Sequence, residues 1–272
     1  MIISVENLSK TYTVKSNNLK GINVKNKGSK SVIDALYDVS FNIVEPGVVG
    51  LIGLNGSGKS TLLKILTGIL LPTSGKVEVL GRNPYKHRLK NNFSIAAVFG
   101  QRTSLLWDLP VEDSYHYLMH LYRITPQDYE KHISKFDDLL SIRSLLKKSV
   151  RTLSLGQKMQ VEICAAFIHK PKIVFLDEPT IGLDIVSRDA ILAFLDHIKK
   201  EKETLVILTS HDVKDVGTLS DKILILQYGQ LIFHGTPFEF TNKLAPDKPF
   251  IEAFRCYIRQ FADKEDKTDE NE

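Results

Sequence analysis

The stretch GLNGSGKST at residues 53–61 has the composition and spacing of a phosphate-binding loop. It fits the pattern G-x-x-x-x-G-K-[ST], follows the apolar run VVGLI and precedes a helical pattern, which is the context that such a loop requires. Lys59 is expected to supply a cation to the β- and γ-phosphates of a nucleotide, and Ser60 a hydroxyl ligand for Mg²⁺. The full set of predicted contacts comprises Asn55, Gly56, Ser57, Gly58, Lys59, Ser60 and Thr61.

Two acids, Asp177 and Glu178, directly follow the apolar residues 173–176. A continuous apolar run is typical of a parallel strand that is buried on both faces, and open α/β sheets bind ligands at the carboxyl ends of such strands. Asp177 therefore suits Mg²⁺, directly or through water, and Glu178 is placed to orient or deprotonate a water that attacks the γ-phosphate. The alternative is a pair of helix-capping acids beside Pro179, which the presence of the phosphate loop disfavours.

A second stretch, LSLGQKMQVEIC at residues 153–164, has the features of an anion-binding helix start. Ser154 is a good N-cap, Gly156 allows a ligand to approach the backbone closely, and Gln157 offers a further amide. Behind them, apolar residues recur every four positions, as on one face of a helix: Met159, Ile163 and Phe167. Because the phosphate loop already accounts for one nucleotide, the second helix start raises the question of which phosphate it would bind.

These residues belong to a chain in which apolar β-rich runs alternate with helical patterns, as in an α/β core. The predicted strands are VIDALYDVSFNI in part, GVVGLIG, KVEVLG, SIAAVFG, KIVFLD, TLVILTS, KILILQYG and QLIFHG. Strand signals stop between about residues 104 and 170, where apolar residues follow helical spacing, so this part is predicted to be a helical insertion. The pattern PFIEAFRCYIRQF is predicted to be a helix that caps the domain, with a dimer contact as the alternative.

Composition is that of an ordinary globular protein: 272 residues, 43% hydrophobic and 25% charged, with a net charge of +4. No stretch approaches the ~20 apolar residues of a bilayer span, and the amino terminus lacks the order of a signal peptide. The two cysteines, Cys164 and Cys256, fit no disulfide framework, so we expect a cytoplasmic protein with reduced thiols. Residues 263–272 hold six acids against two lysines and are interpreted as a solvated tail. Residues 13–33 hold five lysines and no acid; a solvated insert, a site for anionic lipid and a site for a partner protein all remain open.

The order of these motifs resembles the ATP-binding cassette (ABC) ATPases over about residues 1–240. Six segments are similar to motifs of that family. Residues 53–61 are similar to the Walker A loop, Gln101 to the Q-loop and residues 153–157 to the signature. Residues 177–178 are similar to the end of the Walker B strand, Asp184 to the D-loop and His211 to the H-loop. The resemblance implies an α/β fold: an ABC ATPase cassette with a RecA-like parallel-sheet core, an N-terminal antiparallel β-subdomain and an α-helical subdomain.

We accordingly expect an ABC ATPase domain at residues 1–240, with its helical subdomain at about 104–170 and the basic insert at 13–33. A carboxyl-terminal helix and acidic tail follow at residues 241–272. The resemblance implies ATP and Mg²⁺ as cofactors and assigns further roles. Tyr12 would stack on adenine, with Tyr37 as its competitor for that role.

Further roles rest on the resemblance alone. Gln101 would sense Mg²⁺ and the attacking water, His211 would contact the γ-phosphate, and Asp184 would belong to the nucleotide-binding residues. Two cassettes of this family pack head to tail, so that each signature helix faces the γ-phosphate held by the other subunit. The second phosphate would then belong to the ATP of a partner subunit, in a homodimer or a heterodimer, and be met by Ser154, Gly156 and Gln157.

Two positions depart from the family pattern. Leu155 stands where the usual signature LSGGQ has its first glycine, and Gln160 stands where arginine is frequent. The forms LSLGQ, VFGQRTSLLWDLPVEDS and LDEPTIGLD resemble the ABC-2-type exporter branch, in which some subunits are assigned to drug or viologen export. The expected function is therefore ATP hydrolysis on the cytoplasmic face of the cell membrane, energising a separate multi-span permease for export.

Two other classes of ABC ATPase are alternatives to a transport subunit. Those that act in DNA repair carry long coiled-coil or zinc-bearing insertions, and those that act on ribosomes normally carry two cassettes in one chain. This sequence has neither feature, so no nucleic acid partner is expected. Residues 102–113, RTSLLWDLPVED, are predicted to form a groove for a cytosolic helix of the permease, because apolar side chains are dense there. The alternative is that Trp107 belongs to the core.

Overall fold

The structure is a computed structural model that describes residues 1–15, 25–27, 30–100, 103–210 and 212–258. Its strands are β1 (Ile3–Lys15), β2 (Lys25–Lys27), β3 (Lys30–Ile43), β4 (Gly47–Ile52), β5 (Ser74–Val79), β6 (Ile95–Phe99), β7 (Ile173–Asp177), β8 (Leu205–Thr209), β9 (Lys222–Gln227) and β10 (Gln230–Gly235). They form two sheets. One is a four-stranded antiparallel sheet in the order β2-β3-β1-β5. The other has six strands in the order β10-β9-β4-β8-β7-β6, parallel except where β10 pairs with β9.

Helices surround the parallel sheet and fill the middle of the chain. They are α1 (Lys59–Leu66), α2 (Arg88–Asn91), α3 (Val111–Leu121), α4 (Pro126–Leu140), α5 (Arg143–Leu146), α6 (Leu155–Phe167), α7 (Ile185–Glu201), α8 (Val213–Leu219), α9 (Pro237–Leu244) and α10 (250–258). None of the helices in the described ranges is long and apolar enough to cross a membrane.

The centre of the parallel sheet is fully covered, as its apolar sequence predicts. Every residue of β4 and β8 is buried, and so are the first four residues of β7. A strand that is buried on both faces cannot place polar side chains along its length, so polar groups appear only where the strand ends. The chemistry of this chain is therefore concentrated at the carboxyl edge of the sheet.

Helices α3, α4, α5 and α6 lie in the part of the chain for which the sequence predicts a helical insertion. The apolar residues that share one helical spacing are buried in part. Tyr115, Ile133, Phe136 and Leu140 are buried, whereas Leu118, Met119, Tyr122 and Tyr129 are half-buried. The Tyr115 hydroxyl donates a hydrogen bond to the Val161 carbonyl oxygen at 2.7 Å, which joins α3 to α6. Burial raises the pKa of the neighbouring Cys164 thiol on α6, which disfavours the reactive thiolate.

Two strands of the antiparallel sheet were not predicted. In β1 the alternation of apolar and polar residues is broken near Asn7, where φ is 48° and the pairing with β3 changes register between Val5 and Leu8. The predicted basic insert at 13–33 also needs correction, because its ends lie in β1 and β3 and residues 25–27 form β2. A strand with such irregular pairing lacks the regular alternation of apolar and polar residues from which strands are predicted. For this reason β1 was not predicted.

The carboxyl-terminal helix packs on the edge of the parallel sheet, as predicted for a helix that caps the domain. Ala253, Phe254 and Tyr257 are buried in one apolar cluster with Phe240 of α9 and with residues of α8 and of the neighbouring strands β4 and β9. Four aromatic rings pack against Phe240, those of Phe233, Phe250, Phe254 and Tyr257. The acidic residues 263–272 lie outside the described residues.

Candidate functional site

The phosphate loop lies between β4 and α1 and owes its path to glycine. Gly56 has a φ of 79° and Gly58 a φ of 102°, which is left-handed backbone that side chains disfavour. A Cβ on Gly58 would also lie 2.4 Å from the Ala35 carbonyl oxygen. Ala35 itself has no partner in β1, since the pairing passes from Asp34 to Leu36. This bulge in β3 and the glycine at 58 together let the loop curl over the amino end of α1.

The Lys59 side chain is hydrogen-bonded to the backbone at the start of the phosphate loop. Its Nζ donates hydrogen bonds to the carbonyl oxygens of Gly53 at 2.7 Å and Leu54 at 3.0 Å. Burial lowers the pKa of Lys59, while the nearby carboxylates of Glu178 and Asp177 act in the opposite direction. The ammonium group is therefore held at the loop, beside the two acids that the sequence predicts for this site.

Ser60 and Asp177 meet at the predicted Mg²⁺ site. The Ser60 hydroxyl donates to Asp177 Oδ2 at 3.2 Å, although the two residues are separated by 117 positions. The other carboxylate oxygen, Oδ1, accepts a hydrogen bond from the Thr209 hydroxyl at 2.7 Å. A hydroxyl and a carboxylate are hard oxygen ligands of the kind that Mg²⁺ prefers, so these residues fit the ion.

Thr209 was missed by the sequence analysis. It is the last residue of β8 and pairs with Asp177 across the parallel ladder. Its Oγ1 also accepts a hydrogen bond from the Glu178 backbone N–H at 2.9 Å. Thr209 therefore fixes both acids at the strand end. The signal that would have found it is a hydroxyl at the end of the strand next to the acidic one.

Glu178 lies at the mouth of the loop. Its φ of 55° is unusual for a residue other than glycine and turns the chain sharply after β7. Glu178 lines a cleft of about 190 Å³. The other residues around this cleft are Ala35, Asn55, Gly56, Ser57, Gly58, Lys59, Ser60 and Thr61. The structure thus brings all the predicted loop residues together with the predicted water-activating acid.

The predicted second anion site is built on the amino end of α6. Ser154 caps this helix: its Oγ accepts from the Gln157 backbone N–H at 3.2 Å, and Gln157 Oε1 accepts from the Ser154 N–H at 3.2 Å. Ser154 is exposed, and no residue of 154–157 is among the described residues that line the loop cleft. The two predicted phosphate sites of this chain therefore lie apart.

The packing of α6 within the subunit also requires a glycine at position 156, which the sequence did not reveal. A Cβ at this position would lie 2.1 Å from Ser187 Oγ and 3.2 Å from Asp184 Oδ2. Asp184 caps α7, where its carboxylate accepts from the Ser187 N–H at 2.9 Å and the Ser187 hydroxyl at 2.8 Å. Glycine thus permits close packing of α6 on α7, and it brings the signature residues next to Asp184.

Gln101 and His211 lie outside the described residues, so their predicted roles stay predictions. Residues close to each are placed at the acidic strand end. Before Gln101, β6 ends at Phe99, which pairs with Asp177, and the Gly100 N–H donates to the Asp177 carbonyl oxygen at 3.3 Å. Before His211, β8 ends at Thr209 beside the same Asp177. The strands β6 and β8, which precede Gln101 and His211, therefore both end beside Asp177 of β7.

The choice between Tyr12 and Tyr37 for adenine stays open. Tyr12 pairs with Ile33, two residues along β3 from Ala35, which lines the cleft. The Lys10 ammonium lies 5.2 Å from the centre of the Tyr12 ring. Tyr37 is also exposed, and its N–H donates to the Gly229 carbonyl oxygen at 2.8 Å. Neither tyrosine is among the residues that line the loop cleft, and Tyr12 keeps its role only as a prediction.

Trp107 is exposed at 48% of its surface, so the alternative that it belongs to the core is wrong. Its neighbours Leu106 and Leu109 are exposed as well, while Leu105 is buried. The Lys158 ammonium of α6 lies 4.4 Å from the centre of the indole ring, a cation–π contact between this loop and the signature helix. The apolar patch that the sequence predicts at 102–113 is present on the surface from Leu106 to Leu109.

A loop that wraps phosphate, a buried lysine and a hydroxyl–carboxylate pair at a parallel strand end define a nucleotide-binding ATPase of the α/β class. The sequence profile of the ABC transporter family matches residues 36–181. The chain belongs to this family and is an ATP-binding subunit with ATPase activity.

The sequences of several relatives align with most of the length of this chain. The ABC transporter ATP-binding protein NatA of Bacillus subtilis is 31% identical over 206 residues, which are 76% of this chain and 83% of NatA. The energy-coupling factor transporter ATP-binding protein EcfA2 of Caldanaerobacter subterraneus is 32% identical over 243 residues, 88% of this chain and 80% of EcfA2. ABC transporter A family member 8 of Dictyostelium discoideum is 35% identical over 217 residues, 79% of this chain, but the chain spans only 25% of that protein.

Solved structures confirm the predicted fold. An ATP-binding subunit of an ABC transporter superposes with a TM-score of 0.78 at 23% identity, covering 93% of this chain and 98% of the other. The cbiO1 subunit from Clostridium perfringens, part of the ABC transporter complex cbiONQ, superposes with a TM-score of 0.71 at 28% identity, covering 90% and 96%. The α/β cassette with its parallel core, antiparallel sheet and helical part is therefore the fold that the sequence predicts.

Proposed function

We propose that two cassettes, this chain and a second copy or a relative, close head to tail around two MgATP molecules. The observation that carries this proposal is the separation of the two phosphate sites within one chain. The Ser154 end of α6 is exposed and does not line the loop cleft. A phosphate bound at Ser154 therefore belongs to a nucleotide other than the one in this chain's own loop. Ile185 and Val186, which follow Asp184, are 75% and 79% exposed and offer apolar surface beside it for a partner subunit.

Each residue of the site then has a chemical task. The loop N–H groups and Lys59 hold the phosphates, and Glu178 orients or deprotonates the attacking water. Mg²⁺ would be held by Ser60 and Asp177, with Gln101 by resemblance, and supplies charge neutralisation on the phosphate oxygens. His211, also by resemblance, contacts the γ-phosphate. Thr209 keeps Asp177 and Glu178 in place through the two hydrogen bonds described above.

Glu178→Gln tests the hydrolytic site. Turnover should fall by about 10²–10⁴-fold, the range for loss of a general base, while ATP binding is retained. The ATP-bound dimer should accumulate, because closure no longer leads to hydrolysis, and size-exclusion chromatography with ATP measures it. Glu203→Gln, which removes the same charge from an exposed turn, is the matched control. Near-normal turnover of the Glu178 variant would remove this acid from the chemistry.

The partner in the membrane is proposed to be a separate multi-span permease, which places the subunit on the cytoplasmic face of the membrane. A groove of about 260 Å³ lies beside the loop at 103–109, between the parallel sheet and the helical part. Its apolar lining includes Ile69, Leu118 and Tyr122. Ser104 lines this groove, and the exposed Trp107 follows three residues later in the same loop. We propose that a cytosolic permease helix binds in the groove and buries Trp107, because buried aromatic side chains are frequent anchors of such contacts.

Trp107→Ala tests the docking site. Because the ring is half exposed, its loss should change the melting temperature little and leave ATP binding intact, whereas co-purification of the permease should fall. Phe238→Ala, which removes an exposed ring from α9, serves as the control. A variant that melts several degrees lower but still binds its permease normally would contradict the docking site.

Export is the direction that we propose, on the similarity of LSLGQ, VFGQRTSLLWDLPVEDS and LDEPTIGLD to the ABC-2-type branch. Cells that carry Glu178→Gln in place of the native chain should retain more of an added viologen if the system exports it. Retention of less viologen would indicate import. Equal retention in both strains would remove viologens from the substrates, and the same comparison then applies to other cationic drugs.

A further inference from the structure

A buried carboxylate joins the signature helix to the loop that follows β6. Glu162 lies on α6 and is only 6% exposed. Its Oε2 accepts a hydrogen bond from the Thr103 hydroxyl at 2.6 Å, and its Oε1 accepts from the Ser104 N–H at 2.8 Å and the Ser104 hydroxyl at 2.5 Å. A buried charge is costly unless hydrogen bonds replace its water, and bonds to a charged acceptor are stronger than neutral ones. The loop and the helix are therefore tightly joined at this point.

The two sides of this junction lead to the two phosphate sites. On the loop side, Gly100 contacts the backbone of Asp177 and Ser104 lies four residues further along the chain. On the helix side, Ser154 lies eight residues before Glu162, or about 12 Å along α6 at the rise of an α-helix. A displacement at the acidic strand end that moves Thr103 and Ser104 is therefore passed on to α6, and so to Ser154, through the carboxylate of Glu162.

We propose that Glu162 is a positioning residue for ATP hydrolysis, which couples the loop after β6 to the orientation of the Ser154 end of α6. The inference rests on the proposed head-to-tail arrangement, in which that end acts on the partner's ATP. Glu162 also lines the groove proposed for the permease, together with Ser104. A permease helix that binds in this groove lies directly on Glu162. Its binding is therefore linked, through the Glu162 side chain, to the position of the signature helix α6.

Glu162→Ala and Glu162→Gln test the role by separating turnover from binding. Alanine removes all three bonds, so kcat should fall by at least about tenfold, while the ATP affinity of the isolated subunit changes less than about twofold because the loop cleft is elsewhere. Glutamine keeps a carbonyl acceptor for Ser104, and the Thr103 hydroxyl can accept from its amide, so at least about half of kcat should return.

Two control variants separate positioning from stability. Ile163→Ala leaves a cavity in the core next to the same position of α6 and should lower the melting temperature, yet kcat measured well below that temperature should stay within about threefold of the wild type. Asp138→Asn, on the exposed face of α4, removes one charge from the helical part and should change neither quantity. If Glu162→Ala lowers kcat no more than Ile163→Ala does, the inference is overturned.

A further variant keeps the test decisive if Glu162→Ala does not fold. Ser104→Ala removes one hydroxyl donor only and should lower kcat about threefold or more; unchanged kcat would overturn the inference. Glu178→Gln is measured in the same assay. Its inactivity shows that the turnover belongs to the proposed site, so a failure at Glu162 is then a failure of the coupling alone. An active Glu178→Gln would instead remove Glu178 from the chemistry, and the failure would then lie in the proposed hydrolytic site.

Discussion

Replacing Gly156 by alanine tests whether this glycine serves packing within the subunit or the approach of a nucleotide. A Cβ at Gly156 would lie 2.1 Å from Ser187 Oγ and 2.5 Å from Ser187 Cβ. Rotation of the Ser187 side chain moves the Oγ but leaves the Cβ in place. Relief therefore requires a shift of α6 against α7, which also disturbs the cap that Asp184 forms on Ser187.

The size of the effect follows from two opposing contributions. Overpacking costs about 1–3 kcal/mol, and alanine in place of a helical glycine regains about 1 kcal/mol. Because the Ser187 Cβ cannot rotate away, the overpacking cost should lie in the upper part of this range. We therefore expect a net destabilisation of about 1–2 kcal/mol and, for a chain of this size, a melting temperature lower by about 2–8 °C. The double variant Gly156→Ala/Ser187→Gly removes both contacting atoms, so its melting temperature should return to that of Ser187→Gly alone.

ATPase measurements on the same variants complete the test. If Gly156 serves only the contact with Ser187, the double variant should regain the activity of Ser187→Gly. Activity that stays low after stability is restored would assign the glycine to the approach of the partner's phosphate, as the sequence pattern suggested. Unchanged melting temperature and unchanged activity in Gly156→Ala would refute the reasoning, because a Cβ cannot occupy the space that the structure leaves.

Three other variants test separate parts of the site. Lys59→Ala should weaken equilibrium ATP binding at least about tenfold, because the β/γ-phosphate charge loses its cation; unchanged affinity would mean that backbone N–H groups suffice. Leu155→Gly should change ATPase activity less than about tenfold, since both residues offer the same N–H; a loss as large as that of an inactive variant would contradict this. Burial lowers the pKa of His169 to about 4 from its ordinary value of 6.5. The unfolded chain therefore takes up a proton first, and up to about 3 kcal/mol of stability present above pH 6.5 should be lost as the pH falls to 4. His169→Phe, which keeps a ring stacked on Tyr122, should show a flatter pH dependence in urea unfolding, and an equal dependence would exclude His169 as the cause.

The site residues that the sequence could predict share one property: their role depends on neighbours along the chain. The phosphate loop needs a strand before it and a helix after it, and both are read directly from residues near 53–61. Asp177 and Glu178 end an apolar run, and Ser154 precedes a helical one. For these residues local sequence determines local structure. The structure brings the loop and Glu178 into one cleft, and Asp177 accepts a hydrogen bond from Ser60 of the loop.

The residues that the sequence could not predict act across long separations. Thr209 contacts Asp177 from a strand 32 positions away, and Ser104 contacts Glu162 from 58 positions away. The glycine at 156 was noticed, but its contact with Ser187 depends on how α6 and α7 pack. A single sequence carries no direct signal of such pairs, because hydroxyls and glycines are common and only the tertiary arrangement selects the ones that matter. The irregular pairing of β1 hid a strand for a related reason.

The capping arrangement at Ser154 bears on the second phosphate site. The Ser154 hydroxyl oxygen accepts from Gln157, and the Gln157 side-chain oxygen accepts from Ser154. Both side chains therefore use acceptor atoms for the cap, which leaves the hydroxyl hydrogen of Ser154 and the amide hydrogens of Gln157 as donors. Donors at the positive end of a helix are what an anion requires. The cap stabilises α6, and in the proposed dimer the same two residues would also offer donors to the partner's phosphate. Leu155 can replace the usual glycine between them because the cap uses neither its side chain nor an unusual backbone angle.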